Sequence, residues 1–464
     1  VEEGCYHQAI LFDLTPATAY NIQVQKSPGT WHEDTYRVRT APMKDKGGGG
    51  FRFAFVGDLG LEGRSDGLAT GTPRVIDLID KWNVHLVLLG GDYAYYQTDK
   101  RYGSLENSID KFFEQIQPFA RKSVIMPTYG NHEYKLDETL RPWKQRFSVP
   151  QGLNNRDSFY AFTVGKIRFV SIMTGDSHTS SPIDQDVLRW IEKELSSSSK
   201  DPNINWVIPF CHVSPFADGG SHPSNLALRK ILGPMFERHG VRLVLNAHDQ
   251  NYERTLPVHN ISLETGGYEV TTREVKCYDA KTKGTVYIKT SPGGKLSNKG
   301  MGFSRFMTKV PPKYTAVRDQ HHHHVLHVEV SDDDYSEIIV TCWGVPNRAE
   351  EGASRIIDQF RYTLGRDGGC PVPRTTAEQA SARSGARAAG FLEKINFLVG
   401  GLPGLTTGSE VEAAADPPNR INDVIIASDG RSTKLHQNAK KAHDRGVTAA
   451  EFVLQPKDLE DGTM

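Results

Sequence analysis

The chain has 464 residues, 38% of them hydrophobic, and its 55 Lys and Arg nearly balance 56 Asp and Glu, for a formal net charge of -1. That length predicts about two or three domains with ample core, and the charge balance gives no electrostatic reason to expect nucleic acid or an acidic membrane surface. No apolar run is long enough to span a bilayer.

In chain order, Gln8–Phe12, Tyr20–Gln25 and Tyr36–Thr40 read as short strands, with Thr15–Pro16 as a turn signal. Residues 1–42 are therefore expected to be a β segment, and 43–50, ending in four glycines, a flexible linker. From Phe51 the pattern changes. Phe51–Val56, Val84–Leu89, Ser123–Met126, Ile167–Met173, Trp206–Cys211, Val241–Leu245 and Thr285–Lys289 are short buried-strand candidates. Helical patterns alternate with them over Pro73–Lys81, Ile109–Phe119, Asp184–Leu195 and Asn225–His239; in the third, Val187, Leu188, Ile191 and Leu195 share one face. Strands alternating with helices predict a layered α/β domain over 51–364. His324–Val330, Glu337–Thr341 and Asp358–Tyr362 return to β character and close it. Beyond about Gly365 the composition shifts: Ala, Gly and Ser dominate Thr375–Gly390, and Gly400–Ala415 resembles a linker. Phe391–Val399 is a candidate amphipathic helix and Val424–Ala427 a candidate strand, but no fold can be assigned to 365–464.

The five cysteines, Cys5, Cys211, Cys277, Cys342 and Cys370, show no CxxC spacing. Neither a zinc knuckle nor a disulfide-dense scaffold is expected, and the odd count leaves at least one thiol unpaired or intermolecular. Asn260–Ile261–Ser262 is a glycosylation sequon, meaningful only in a secreted chain.

Five polar clusters each follow an apolar, strand-like run: Gly57–Asp58–Leu59–Gly60, Gly91–Asp92–Tyr93–Ala94–Tyr95, Asn131–His132–Glu133, His212, and Ala247–His248–Asp249–Gln250. In open α/β folds the loops after the carboxyl ends of strands hold the ligand. Asp58, Asp92 and Asn131 offer oxygen, His212 and His248 nitrogen. Hydrolytic two-metal sites place ions about 3.5–4 Å apart, where a shared carboxylate is the natural bridge. A Gly–Asp dipeptide taken alone is usually a turn; the ordered set points to a metal centre.

The order GD, GD, NH, His, then a final His-containing cluster resembles the metallophosphoesterase superfamily. The offset of Tyr95 from Asp92, together with Tyr252–Glu253–Arg254, resembles its purple acid phosphatase branch. The resemblance covers roughly Phe51 to Tyr362. It implies a layered β-sandwich flanked by helices, with residues 1–42 as part of a fibronectin-type-III-like module. Asp58, Asp92 and Tyr95 would hold a first metal, Fe(III), and Asn131, His212 and His248 a second, Fe(II), Zn(II) or Mn(II), with Asp92 bridging. His132 would face the substrate phosphate, and His222, in the loop Asp218–Ser224, would contact substrate or simply lie exposed. Where the family has GHxH, this chain has Ala247–His248–Asp249–Gln250. Gln250 would then give the first metal an amide oxygen in place of imidazole, in a set that still suits Fe(III).

The resemblance implies hydrolysis of phosphate monoesters, on small molecules or proteins, by metal-bound hydroxide, and a secreted, secretory-pathway or vacuolar location. Two alternatives stay open: a phosphodiesterase or nucleotide pyrophosphatase on the same centre, and a degenerate binding or adhesion protein. Four motifs have plain structural readings. His321–His324 is a solvated strand entry before it is an accessory metal patch; Glu253 and Arg254 form a local salt bridge; Asp332–Asp334 is a polar turn; Cys211 is a buried small apolar residue.

Overall fold

The computed structural model describes residues 7–11, 13–27, 30–42, 51–150, 152–153, 157–175, 183–271, 276–331, 334–348, 351–364, 370, 422–426 and 450–454. The expected linker 43–50, Cys5, the segments Thr375–Gly390, Phe391–Val399 and Gly400–Ala415, and most of the Asp332–Asp334 turn lie outside the described residues.

The strands and helices follow one another as β1 (His7–Leu11), β2 (Ala19–Ser27), β3 (Thr30–Arg39), β4 (Arg52–Val56), α1 (Thr72–Trp82), β5 (Leu86–Leu89), α2 (Leu105–Ala120), β6 (Val124–Pro127), α3 (Asn131–Tyr134), α4 (Arg141–Lys144), β7 (Phe159–Val164) and β8 (Ile167–Ile172). Then come α5 (Gln185–Lys200), β9 (Trp206–Cys211), α6 (Leu226–Arg238), β10 (Leu243–Asn246), β11 (Tyr252–Thr255), β12 (Val258–His259), β13 (Glu269–Val270), β14 (Cys277–Asp279), β15 (Val286–Lys289), β16 (Thr315–Asp319), β17 (His323–Val330), β18 (Glu337–Val345) and β19 (Arg355–Thr363). Two tail strands, β20 (Asn422–Ile426) and β21 (Ala450–Leu454), complete the described elements.

Two seven-stranded sheets carry the fold, one ordered β16-β11-β15-β10-β9-β8-β7 and the other β14-β19-β18-β17-β4-β5-β6. Their inner faces pack together, Phe53, Phe55, Leu86 and Leu88 of one against Phe169, Ile208, Phe210 and Leu245 of the other. Strand alternation sends the intervening residues outward: Ala54 and Val56 join Val75, Ile76 and Ile79 of α1 and Ile109, Phe112 and Ile116 of α2. On the far side Val170 and Ile172 meet Val187, Ile191 and Leu195 of α5. Strands buried on both faces read as continuous apolar runs, which is why β4, β5, β8 and β9 were visible in the sequence. Each large core side chain contributes roughly 1.5–3 kcal/mol by leaving water. Side chains cap the longer helices: Ser104 accepts from Asn107 N at 3.0 Å, Asp184 from Val187 N at 2.9 Å and Asn225 from Leu228 N at 3.0 Å. The fold is thus the expected helix-flanked β-sandwich.

Strands β4, β5 and β6 run parallel to one another, as do β8, β9, β10 and β15. The carboxyl ends of these seven strands, from both sheets, open into loops at one end of the sandwich, where Asp58 after β4 accepts from His248 N after β10.

Strand β7, absent from the sequence candidates, pairs antiparallel with β8 across the Gly165–Lys166 turn. At the N-terminus β2 and β3 form an antiparallel hairpin over a small core of Leu14, Tyr20, Ile22 and Val38. A hairpin of this size does not by itself specify a fibronectin-type-III module. In the tail, β20 adds parallel to β2 and β21 antiparallel to β1. Cys277 of β14 is disulfide-bonded to Cys370, while Cys211 and Cys342 are free and buried. No helix among the described residues is long and apolar enough to cross a membrane.

Candidate metal centre

Asp58 follows β4, Asp92 follows β5, Asn131 opens α3 after β6, His212 follows β9 and His248 follows β10. All five are buried, as are Tyr95 and Gln250, and the structure brings all seven to the same end of the sandwich. Close backbone approach makes this possible. A Cβ on Gly57 would lie 2.4 Å from the Ala247 methyl, and one on Gly130 2.2 Å from Asp92 Oδ1. The alanine at 247 is thus accommodated because position 57 is glycine.

Asp58 is the hub of one half. Its Oδ1 accepts from Tyr95 Oη at 2.7 Å and Gln250 Nε2 at 3.0 Å, and its Oδ2 from His248 N at 3.0 Å and Ser291 Oγ at 2.7 Å. Burial pushes its pKa up, partly offset by His212 and then raised again by Asp92. Burial also raises the Tyr95 phenol well above its usual range, helped by Asp58 and Asp92. A phenolate at Tyr95 therefore needs a cation beside it.

Asp92 is the hub of the other half. Its Oδ1 accepts from His132 N at 2.8 Å, and its Oδ2 lies 3.1 Å from His212 Nε2. Burial opposes its charge, but His212 and His132 outweigh it and hold the carboxyl low. His212 Nδ1 lies 2.7 Å from Gly90 O. A carbonyl can only accept, so Nδ1 carries the proton and Nε2 is the inward donor, the arrangement expected of a metal-ligating histidine. That Nε2 is also 3.0 Å from His248 Nδ1, and Asp92, His212 and His248 place their ligand atoms within 4.8 Å of one another. Burial lowers the His212 pKa, yet Asp92 and Asp58 push it up to about 9.

Two further atoms bear on whether this set fits metal ions. Asn131 Oδ1 and Gln250 Oε1 are both buried without a hydrogen-bond partner. A buried polar atom left unpaired costs about 1–3 kcal/mol, and both belong to the residues expected to be ligands. Paired carboxylates, inward-facing imidazoles and orphan amide oxygens fit bound cations. Gln250 turns its Nε2 to Asp58 and to His248 O at 2.8 Å. Its oxygen is thus the atom left without a hydrogen bond.

His132 is held by Gln97, whose Oε1 lies 2.8 Å from Nδ1 and whose Nε2 donates to His132 O at 2.8 Å; its ring centroid is 4.2 Å from that of Tyr95. Burial lowers its pKa, with Asp92 opposing. His222 is not a remote loop residue. Its ring centroid is 3.9 Å from that of His248, and its backbone N donates to Asp249 Oδ1 at 3.1 Å.

Sequence reasoning missed several residues that shape the site. Glu133 accepts from Asp92 N, Tyr93 N and Gly130 N at 2.7–2.9 Å, locking the loops after β5 and β6 together. Burial and Asp92 push its pKa up to about 7. Ser291, which anchors Asp58, follows β15; its place after a strand was the available signal. Asp249, between the two expected ligands, instead bonds Lys289 Nζ at 2.9 Å and Ser304 Oγ at 2.7 Å.

Two expectations fail. Arg254 does not pair with Glu253: it bonds Asp358 through Nε at 2.5 Å and Nη2 at 3.1 Å, because neighbours on a strand face opposite ways. Nor is His321–His324 a solvated strand entry, since His322, His323 and His324 are all buried.

Residues 51–252 match the calcineurin-like phosphoesterase family. The chain is 26% identical over 366 residues to acid phosphatase type 7 of Homo sapiens, covering 73% of this chain and 76% of that protein. It is 28% identical over 265 residues to purple acid phosphatase 18 of Arabidopsis thaliana, covering 55% and 54%. In structure it is similar to purple acid phosphatase PPD1 from yellow lupin seeds, with a TM-score of 0.57 at 19% identity over 74% of this chain and 60% of that one.

Proposed function

The chain carries a calcineurin-like metallophosphoesterase domain and is a hydrolase of phosphoric esters, and on that premise we propose that it cleaves phosphate monoesters at a dinuclear metal centre. Asp58, Asp92, Tyr95 and Gln250 would hold a first ion of the Fe(III) class. Asp92, Asn131, His212 and His248 would hold a second, Fe(II), Zn(II) or Mn(II), with Asp92 shared. The observation that carries this reading is the convergence of Asp92 Oδ2, His212 Nε2 and His248 Nδ1, joined to a network holding two orphan amide oxygens. When bound, such ions neutralise phosphoryl charge and bring the pKa of water towards about 7, which supplies hydroxide.

The chain's own groups do the remaining work. Glu133 fixes the backbone of Asp92, and Ser291 and Tyr95 fix the Asp58 carboxylate. His132, set by Gln97 and by its N–H on Asp92, would meet the substrate phosphate. His222, against His248, lines the substrate side. The acid phosphatase relatives support a phosphorylated small molecule or protein as substrate and a secretory or vacuolar location.

Elemental analysis combined with turnover of an aryl phosphate monoester and the matching diester tests the reading. Two metals per chain and preference for the monoester are expected. Preference for the diester would transfer the centre to phosphodiesterase chemistry; metal-free turnover would remove the dinuclear reading. Iron on the Tyr95 phenolate should give a visible charge-transfer band that Tyr95→Phe abolishes.

A further inference from the structure

The described residues contain a second cluster of metal-ligand groups, Asp319, His322 and His324, in the short connection between β16 and β17. We infer that it is a separate site for one divalent transition-metal ion of the Zn(II) class, bound by Asp319 Oδ1, His322 Nδ1 and His324 Nε2. This site is distinct from the catalytic residues and shares none of their side chains.

The geometry carries the inference. His322 Nδ1 and His324 Nε2 both lie 2.9 Å from the same oxygen, Asp319 Oδ1. His324 is fully buried, and His322 and Asp319 are 11% and 14% exposed at the side chain. His324 Nδ1 lies 2.8 Å from Ser291 O. Because that carbonyl can only accept, the proton sits on Nδ1, and the neutral ring turns its Nε2 lone pair at a carboxylate. A cation between them resolves that contact, and histidine ligands commonly hold a backbone carbonyl on their other nitrogen in this way. The same pattern, a carbonyl on Nδ1 and a carboxylate facing Nε2, occurs at His212.

The strand period explains the choice of residues. His322 and His324 fall on one face, whereas His323 turns to the other, where its Nε2 lies 2.9 Å from Asn347 Oδ1. Gly344, opposite His324 in β18, leaves room for the His322 ring: a Cβ there would come 3.0 Å from His322 Cγ. One carboxylate and two neutral imidazoles carry a net charge of -1. That suits a divalent ion of intermediate softness, with the position nearest the surface left for water.

The location assigns the ion a role. Residues 320–322 carry the chain from one seven-stranded sheet into the other. Gln320 Oε1 further pins this crossing by accepting from Phe306 N at 2.8 Å. The ion would staple the crossing and, through His324 and Ser291, brace the residue that bonds Asp58 Oδ2 at 2.7 Å.

The test uses the full chain, stripped with chelator, equilibrated with Zn(II) alone, desalted and analysed for zinc. Asp92→Asn removes the shared ligand of the catalytic centre and isolates the second site. In that background about one zinc per chain should remain, and adding Asp319→Asn or His322→Ala should remove it. Zinc should raise the melting temperature of Asp92→Asn but not of either double variant. If Asp92→Asn binds no zinc, or if both double variants keep theirs, the cluster is a hydrogen-bonded ion pair and the inference fails. Asp319→Asn preserves shape and reads out even if His322→Ala does not fold. Failure of the dinuclear reading looks different: Asp92→Asn would then bind as much zinc as the parent chain.

Discussion

Two buried polar regions of this molecule are built on opposite terms. At the open end, Asp58, Asp92, Tyr95 and His248 hold positive φ values of 56, 58, 51 and 80 degrees. Such backbone costs of order 1–3 kcal/mol per residue and persists only where the surroundings enforce it. Two amide oxygens there have no partner. Around Arg254 the reverse holds. Its guanidinium meets Asp358 twice and Tyr278 Oη at 2.9 Å, and lies 4.4 Å over the Phe360 ring, while Tyr252 Oη donates to Asp358 at 2.9 Å. None of these residues is among the positive-φ positions or the unpaired atoms. One region is complete without a ligand; the other is strained, charged and unfinished, which is what a preformed binding site requires.

Substitutions should separate the two. The largest effect is expected for Asp92→Asn, which removes the shared carboxylate: turnover of an aryl phosphate should fall on the order of ten-thousandfold. Near-normal turnover would show that the Asp92 carboxylate takes no part in catalysis.

Asp358→Asn should do the opposite. It leaves Arg254 buried without its counter-charge and should cost about 3–5 kcal/mol of stability, read by denaturant unfolding. Activity per folded molecule should change little. Equal losses of activity and stability would show that the two regions are one unit.

Glu133→Gln sharpens the boundary, because Glu133 touches no expected ion yet orients Asp92. A loss of roughly 10–100-fold in metal affinity or activity is expected. Its measure is residual metal after graded chelation.

The acid limb of stability belongs to the saturated region. Burial would raise the Asp358 pKa, but Arg254 and Tyr252 outweigh it and hold it below its ordinary value of 3.8. The folded state therefore binds this proton less tightly than the unfolded chain. Its stabilisation is full above pH 3.8 and is lost as pH falls through the lower folded pKa. Asp358→Asn should flatten melting temperature against pH below about 4; an unchanged acid limb would assign it to other carboxylates.

The smallest effect is expected at Gln250. Gln250→His supplies a stronger donor at the orphan oxygen's position and should raise metal retention against a chelator several-fold, with activity kept or increased. No gain in retention would mean that the first ion does not use position 250.

Sequence alone determined most strand runs of the sandwich, though not β7, β11, β14 or β16, and the polar residues after them. Apolar stretches buried on both faces are local, continuous signals, and Gly–Asp or Asn–His after such a run is readable without any partner. Asp58, Asp92, Asn131, His212 and His248 were legible for that reason. Pairings across the chain, by contrast, exist only in the packed fold. Ser291 reaches Asp58 over 233 positions, and Arg254 finds Asp358 over 104. Glu133 turns to the backbone of residues 92 and 93, and His322 and His324 meet Asp319 only because the strand period puts them on one buried face. A local pattern states which face a residue takes. It cannot state what faces it, since that partner is delivered by sheet order and by the packing of two layers from distant segments.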